Sequence, residues 1–385
     1  MLNPNEFLAR VPINPLNLTT HELKGGDMKL VILFCFTLVS SFVSADEVIE
    51  DECPSGSGIT SICGFLPPED IDVVPGGKAI IVGGFSLDNE NGDVRVLHLA
   101  DNSIETIYSP DMMGPAPSSS DGEIWGDPDC PGPPTGFAAH GIQLSENKHG
   151  SYTLMVVNHT SRESVEFLEV KDNGGSFSAE WKGCVIVDPE LWINDVAMLP
   201  DGGFVASHMM PREISRSIFD RVPNDKVETG YVVDWHKETG WTKIEGTDGA
   251  LPNGVQVSAD GATIYSNHYF ANQVVAIDRA SGKRLWTAPV DGAPDNISIG
   301  DDGKLYFPTH LVDLRRVRDE CLGKEVDYCG LEFAVYSIDP SNGAATQIHR
   351  SKGAPFGGST VAVKTGDSIY LGAFAGTRIG KIAAP

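Results

Sequence analysis

Six times along the chain a mostly polar pair stands directly before a run of alternating apolar residues: Glu69 and Asp70, His140 and Gly141, Asn194 and Asp195, Asn253 and Gly254, Asp295 and Asn296, Ser359 and Thr360. The set is rich in oxygen. If Glu69, Asn194, Asn253, Asp295 and Asn296 face one centre they offer five hard donors, and no Lys or Arg holds any of the recurring positions. Two carboxylates about 5 Å apart repel by roughly 3 kcal/mol at an effective dielectric near 20. Asp70 and Asp195 add to that repulsion, so protonation, water or a cation must compensate. Oxygen donors suit calcium, which accepts six to eight of them; magnesium demands a tighter octahedron and zinc favours His and Cys. A single Asn or Asp at a strand start only caps a turn by bonding nearby backbone. Recurrence at one phase requires more than that.

The second copy carries His140, and its outgoing run ends in "VVNH", which returns His159 to the same end. An imidazole titrates close to neutrality, so one can take a proton from water while a second orients or relays it. The chain has neither a GxSxG elbow nor a papain-like cysteine setting, which makes water the expected nucleophile. His208 and His310 follow outgoing runs of later copies, where pocket lining, plain packing and surface exposure are all open.

Something must bring these positions together. Each copy, such as "NDVAMLPDGGFVAS" from Asn194 or "DNISIGDDGKLYFPT" from Asp295, reads as a β-hairpin with period-2 apolar residues on both sides of a Gly-containing turn. The copies recur at intervals of 42 to 71 residues, near or somewhat above the length of one propeller blade. Six units predict an all-β, six-bladed β-propeller, in which equivalent positions converge on a central channel. A β-sandwich with several hairpins would give no reason for polar residues to recur at one phase. The best short helical segment is "REISRSIFDRV" from Arg212.

The formal charge of −25 argues against a nucleic-acid partner, because phosphate backbones are bound by clustered Lys and Arg. Residues 28–45, "MKLVILFCFTLVSSFVSA", have the lysine, apolar run and small-residue end of a secretory signal, and fall short of a spanning helix. Met28 is the natural start for that signal, so residues 1–27 read as an upstream extension and residues 46–385 as one propeller domain. Cleavage after Ala45 leaves six cysteines, an even number that suggests disulfides in a secreted chain. Fifteen connectivities are open, with Cys53–Cys63 and Cys321–Cys329 favoured by proximity.

The strings "PPEDIDVVPGG", "FAAHGIQL", "LMVVNH", "WINDVAMLP", "LPNGVQVSADGATIYSNHYFANQVVAID" and "DNISIGDDGKLYF" occur in this order. Over roughly residues 63–310, with a weaker continuation to the C-terminus, the chain resembles the paraoxonase (serum arylesterase and lactonase) family. The wider group includes gluconolactonases of the senescence-marker type. The resemblance implies a six-bladed propeller with two calcium ions in its tunnel. A catalytic calcium would be held by Glu69, Asn194, Asn253, Asp295 and Asn296, and a structural one by Asp70, Asp195 and the backbone carbonyl of Ile142. The family's histidine pair falls on His140 and His159 and favours the paraoxonase branch; a pocket-wall histidine falls on His310. Mammalian members join their ends by a disulfide, but this chain has no cysteine after Cys329, so strand pairing alone would have to close its ring. Residues 111–134 and the segment around Cys321 and Cys329 are expected as rim loops. The sequons at Asn158 and Asn296 are expected to stay unmodified, because they adjoin the histidine pair and the calcium. The implied activity is that of a secreted, calcium-dependent hydrolase acting on small lactones and aryl esters. A non-catalytic, calcium-stabilised propeller that binds a ligand or protein is the alternative, and a strictosidine-synthase-like condensing enzyme is disfavoured by the ligand ring. Lipoprotein or membrane association and oligomeric state stay open.

Overall fold

The computed structural model describes residues 53–86, 92–112, 125–147, 150–214, 217 and 227–385. The expected upstream extension (1–27) and signal (28–45) lie outside these residues, as does part of the expected rim insertion. Residues from Asp51 onward form one compact unit.

Six antiparallel sheets follow one another along the chain as the blades of a β-propeller. Blade 1 holds Pro68–Val73, Ala79–Gly84, Asp93–His98 and Ile104–Tyr108. Blade 2 holds Ala139–Glu146, Tyr152–Asn158, Ser164–Asp172 and Phe177–Ile186, and the short strand Trp125–Gly126 lies parallel on its outer edge. Blade 3 runs through Ile193–Met198, Phe204–His208, Tyr231–His236 and Gly240–Lys243. Blade 4 runs through Pro252–Val257, Thr263–His268, Gln273–Asp278 and Arg284–Pro289. In blade 5 the inner strand is split into Ala293–Pro294 and Ser298–Ile299, ahead of Leu305–His310, Phe333–Asp339 and Ala344–Ser351. Blade 6 takes Ser359–Thr365, Ser368–Ala373 and Arg378–Ala383 from the C-terminus and Thr60–Cys63 from the start of the domain.

That last strand closes the ring. Thr60–Cys63 pairs antiparallel with Arg378–Ala383, setting Thr60 opposite Lys381, while Ile59 and Ile62 are buried beside it. Closure is therefore by hydrogen bonds and apolar burial. The disulfides Cys53–Cys63 and Cys321–Cys329 form as expected, and Cys130–Cys184 ties the segment after Trp125–Gly126 to the outer strand of blade 2. The period-2 alternation gives each blade two apolar faces, and these pack blade against blade. Ile81, Val94 and Val96 of blade 1 meet Ile142, Leu154 and Val156 of blade 2 in one cluster. On the far side of blade 2, Val165 and Phe167 meet Phe204, Val233 and Trp235 of blade 3.

Every innermost strand carries a register shift, and the shift always falls at the recurrent polar pair. It lies between Pro68 and Asp70, Ala139 and Ile142, Ile193 and Val196, Pro252 and Val255, and Ser359 and Val361. In blade 5 the same offset separates the pairs Pro294–Thr309 and Ser298–Tyr306. A β-bulge of this kind inserts one residue, bends the strand and re-aims its side chains. Two bulges need glycine for closeness: a Cβ on Gly141 would lie 2.5 Å from the Asn194 carbonyl oxygen, and one on Gly254 would lie 2.6 Å from that of Asp295. The sequence alternation alone had suggested plain hairpins. Likewise, the helix expected from Arg212 is a 3-10 turn over Arg212–Ile214, the rest lying mostly outside the described residues. A helix does occur at Leu314–Glu320, capped by Asp313, whose side chain accepts from the Arg316 amide; it belongs to the rim segment that carries Cys321–Cys329.

The two sequons among the described residues are interior. Asn158 is fully buried, its Oδ1 accepting from the Ala138 amide at 3.0 Å, and Asn296 is equally inaccessible. Mass spectrometry of the chain from a glycosylating host should find both asparagines bare; a glycan on either would contradict this packing.

Candidate active site

The bulges set the recurrent polar residues at two levels of the central tunnel. At the upper level stand Glu69, Asn194, Asn253, Asp295 and Asn296, all buried. Asn296 Nδ2 donates to Glu69 Oε1 at 3.1 Å, joining blades 5 and 1. Asn253 hydrogen bonds the Asp295 carboxylate, and Asn194 Nδ2 points to Met209 Sδ at 3.4 Å. Each amide thus spends its nitrogen on a neighbour. What is left is oxygen: Asn194 Oδ1, Asn253 Oδ1, Asn296 Oδ1 and Glu69 Oε2 are buried without a hydrogen-bond partner. Buried polar atoms are seldom left so. Among the described residues no cluster of three or more His, Cys, Asp or Glu is arranged as a metal site. The ring is made chiefly of amide oxygens, which fits a hard cation such as calcium.

Asp70 and Asp195 project to the lower level, where they act as staples between inner strands. Asp70 accepts from Ile71 N at 2.9 Å and, across the blade boundary, from Ile142 N at 2.7 Å. Asp195 accepts from Val196 N at 2.7 Å and from Val255 N of blade 4 at 2.8 Å. Sequence reasoning missed a third carboxylate, Asp72, which repeats the motif on Val73 N and Leu144 N. It lies two residues after Asp70, the spacing that keeps strand residues on one face. Gln143 and Gln256 join these acids around a cavity of about 440 Å³ at the lower mouth, and Gln143 Nε2 donates to Gln256 Oε1 at 3.0 Å.

Burial is the main influence on these acids. It pushes Glu69 and Asp70 well above the usual carboxylate range, Asp295 and Asp195 reinforcing the effect by like charge. Asp195 and Asp295 are pushed up to about 8 and Asp72 to about 6, again mainly by burial.

At the upper rim His140 and His159 meet as the sequence suggested, with His140 Nδ1 and His159 Nε2 3.1 Å apart. His140 Nε2 lies 3.8 Å from Glu69 Oε1, so the pair opens directly on the ring. Burial, then the neighbouring His159, hold His140 well below the ordinary histidine value. His310 joins the same rim, its Nε2 3.5 Å from Asp295 Oδ2 and its Nδ1 2.8 Å from the Tyr269 hydroxyl. Burial lowers it to about 4. His208 does not join them: it accepts from the Trp192 amide at 3.0 Å and lies tilted against the Tyr231 ring. Asn267, which no sequence signal marked, donates to the Asp295 carbonyl, and Thr360, from the sixth recurrent pair, donates to the Glu69 carbonyl, each holding the backbone of a ring residue. Phe85 against His140 and Phe374 against His310 give the mouth apolar walls.

The raised acids set a test. Unfolded carboxylates titrate near 4, so the penalty from Asp195 and Asp295 on the folded chain is complete only above about 8 and is relieved as pH falls through the folded values, and the raised Glu69 and Asp70 act in the same direction. Buried histidines with lowered values are neutral in the folded chain and mostly neutral in the unfolded one at pH 7, so they offset only a small part of this. Thermal unfolding of the chelated chain should therefore give a higher Tm at pH 7 than at pH 9, and added calcium should reduce the difference. Equal stability of the chelated chain at both pH values would contradict the charged ring.

The family model for Arylesterase matches residues 66–381. No curated protein matches the sequence. Among solved structures the chain is similar to a luciferin-regenerating enzyme at 12% identity, with 85% of this chain and 95% of that one covered and a TM-score of 0.48. It is similar to virginiamycin B lyase from Staphylococcus aureus at 12% identity, covering 85% and 99%, with a TM-score of 0.43. Regucalcin, a calcium-binding protein from Agrobacterium tumefaciens strain C58, is similar at 14% identity, covering 83% and 92%, with a TM-score of 0.44. Since the family model covers most of the chain, reaching into all six blades and including the recurrent polar residues, the chain belongs to the arylesterase family.

Proposed function

We propose that the chain is a calcium-dependent hydrolase of lactones and aryl esters that works in an oxidising, extracytoplasmic setting. The observation that carries the reading is the set of partnerless buried oxygens on Glu69, Asn194, Asn253 and Asn296 beside the Asp295 carboxylate, within reach of a histidine pair. These five residues would hold a calcium ion, which when bound polarises a carbonyl and stabilises its developing negative charge. Asp70, Asp195 and the Ile142 carbonyl would hold a second; what supports it is the convergence of Asp70, Asp72 and Asp195 on the cavity at the lower mouth.

The chain's own groups do the rest. His140 Nε2 faces the ring and is the atom placed to take a proton from an attacking water, with His159 behind it to share the charge. Glu69 Oε1 and the backbone of Asn194 face the imidazolium so formed. His310, set by Tyr269, forms the opposite wall beside Asp295. Phe85, Phe374 and Met209 exclude water from the mouth and offer an apolar surface to the acyl or aryl part of a small substrate. Secretion is supported by the three disulfides, which persist in oxidising compartments. No helix among the described residues is long and apolar enough to cross a membrane.

The test is hydrolysis of a lactone panel and phenyl acetate by the chain from residue 46, before and after chelation and again with calcium restored. Activity should vanish and return. Asp295→Ala should abolish turnover, and His140→Gln should lower kcat by about 100-fold, within the range of a lost general base. Only a slight loss in His140→Gln would remove the base from that residue. A folded, calcium-loaded chain that hydrolyses none of these substrates would favour a ligand-binding propeller.

A further inference from the structure

The histidine pair does not end at His159. His159 Nδ1 lies 2.6 Å from Glu163 Oε2, the shortest contact in a line that runs from the tunnel to the partly exposed Arg212. Glu163 occupies the turn between the second and third strands of blade 2, and its other oxygen, Oε1, lies 3.5 Å from Arg212 Nη1. Arg212 is itself tied down, its Nη2 donating to the Leu191 carbonyl at 2.9 Å and its guanidinium lying over the Trp192 ring. Nothing in the "NHTSRES" stretch marks Glu163 from sequence; only the turn geometry brings it under the imidazole.

We infer that Glu163 is a positioning residue that sets the proton arrangement of both histidines. A carboxylate only accepts hydrogen bonds, so His159 must carry its proton on Nδ1. The Nε2 of a neutral His159 then bears a lone pair, and across 3.1 Å it requires a proton on His140 Nδ1. His140 Nε2 is left bare, facing the ring. One carboxylate, more than one ring removed, thereby decides that the tunnel-facing atom is a base. Although burial pushes Glu163 up, its bond to His159 and the nearby Arg212 outweigh that and hold it below the usual range, so it stays ionised. As the attacking water gives up a proton its O–H bond breaks, an N–H bond forms at His140 Nε2 and the oxygen left behind bonds to the substrate carbonyl carbon; the Nδ1 proton then passes to His159 Nε2, whose charge rests against Glu163.

An amide at this position would keep the shape and remove the rule. In a triad, replacing the orienting carboxylate by its amide leaves geometry intact but turns the imidazole to the wrong tautomer. The –NH2 of Glu163→Gln can donate to His159 Nδ1, which reverses both rings and places a proton on His140 Nε2. The kinetic consequence rests on the hydrolase reading above, whereas the tautomers do not.

The experiment uses the calcium-loaded chain labelled with 15N-histidine, wild type and Glu163→Gln, read by two-bond 1H–15N spectra at neutral pH together with kinetics on phenyl acetate and a lactone. Wild type should show His140 and His159 both protonated at Nδ1. The variant should show His140 protonated at Nε2, with kcat lower by about 10- to 100-fold and KM within about twofold. If the variant fails to fold, the wild-type spectrum decides alone. A wild-type His140 with its proton on Nε2 would overturn the inference, as would a folded variant with unchanged tautomers and kcat within about twofold. Wild-type tautomers as expected in a chain that hydrolyses nothing would leave Glu163 in this role and refute the hydrolase reading.

Discussion

The structure depends on one extra residue in each inner strand. Along a regular strand successive side chains point to opposite faces, so a polar pair would send one member into the apolar packing between blades. The bulge removes that conflict. Glu69 reaches the upper ring and touches Asn296 of blade 5, while adjacent Asp70 reaches down and across to the Ile142 amide of blade 2. After the bulge the alternation resumes in phase, which keeps Ile71, Ile142, Val196 and Val255 in the interior. Packing and site are therefore coupled: a register slip that repaired the strand would dismantle the ring.

Convergence of the bulges creates an electrostatic problem that the surrounding residues only partly solve. Glu69 and Asp295 share a buried space with no Lys or Arg, and the adjacent bases, His140 and His310, are held neutral by the same burial. Asparagine at positions 194, 253 and 296 limits the repulsion, since an amide supplies an oxygen without a charge and uses its nitrogen to hold a neighbour. The lower acids are better satisfied, each of Asp70, Asp72 and Asp195 taking two backbone amides. They link blades 1 to 2 and 3 to 4.

Blade number, the polar ring and the histidine pair were legible in the sequence because each is written as a periodicity: alternation within a hairpin, and recurrence of one position between hairpins. The bulges left only an indirect trace, two consecutive polar residues where period 2 allows one, with glycines at 141 and 254 that reveal their need for closeness only once the next blade is in place. Ring closure through Thr60–Cys63 depends on a partner strand more than three hundred residues away, which no local pattern encodes. Glu163, Tyr269 and Asn267 act through single contacts to histidines or to a carbonyl, and single contacts have no period. Cys130–Cys184 was hidden in the same way, its partners 54 residues apart.

That six bulges build a preorganised oxygen ring for a cation is tested most directly by anomalous diffraction from crystals grown with calcium. A peak bounded by Glu69, Asn194, Asn253, Asp295 and Asn296, lost in crystals of Asp295→Ala, is the predicted result. Density there that carries no anomalous signal and refines as water, from a chain crystallised in millimolar calcium, would contradict it.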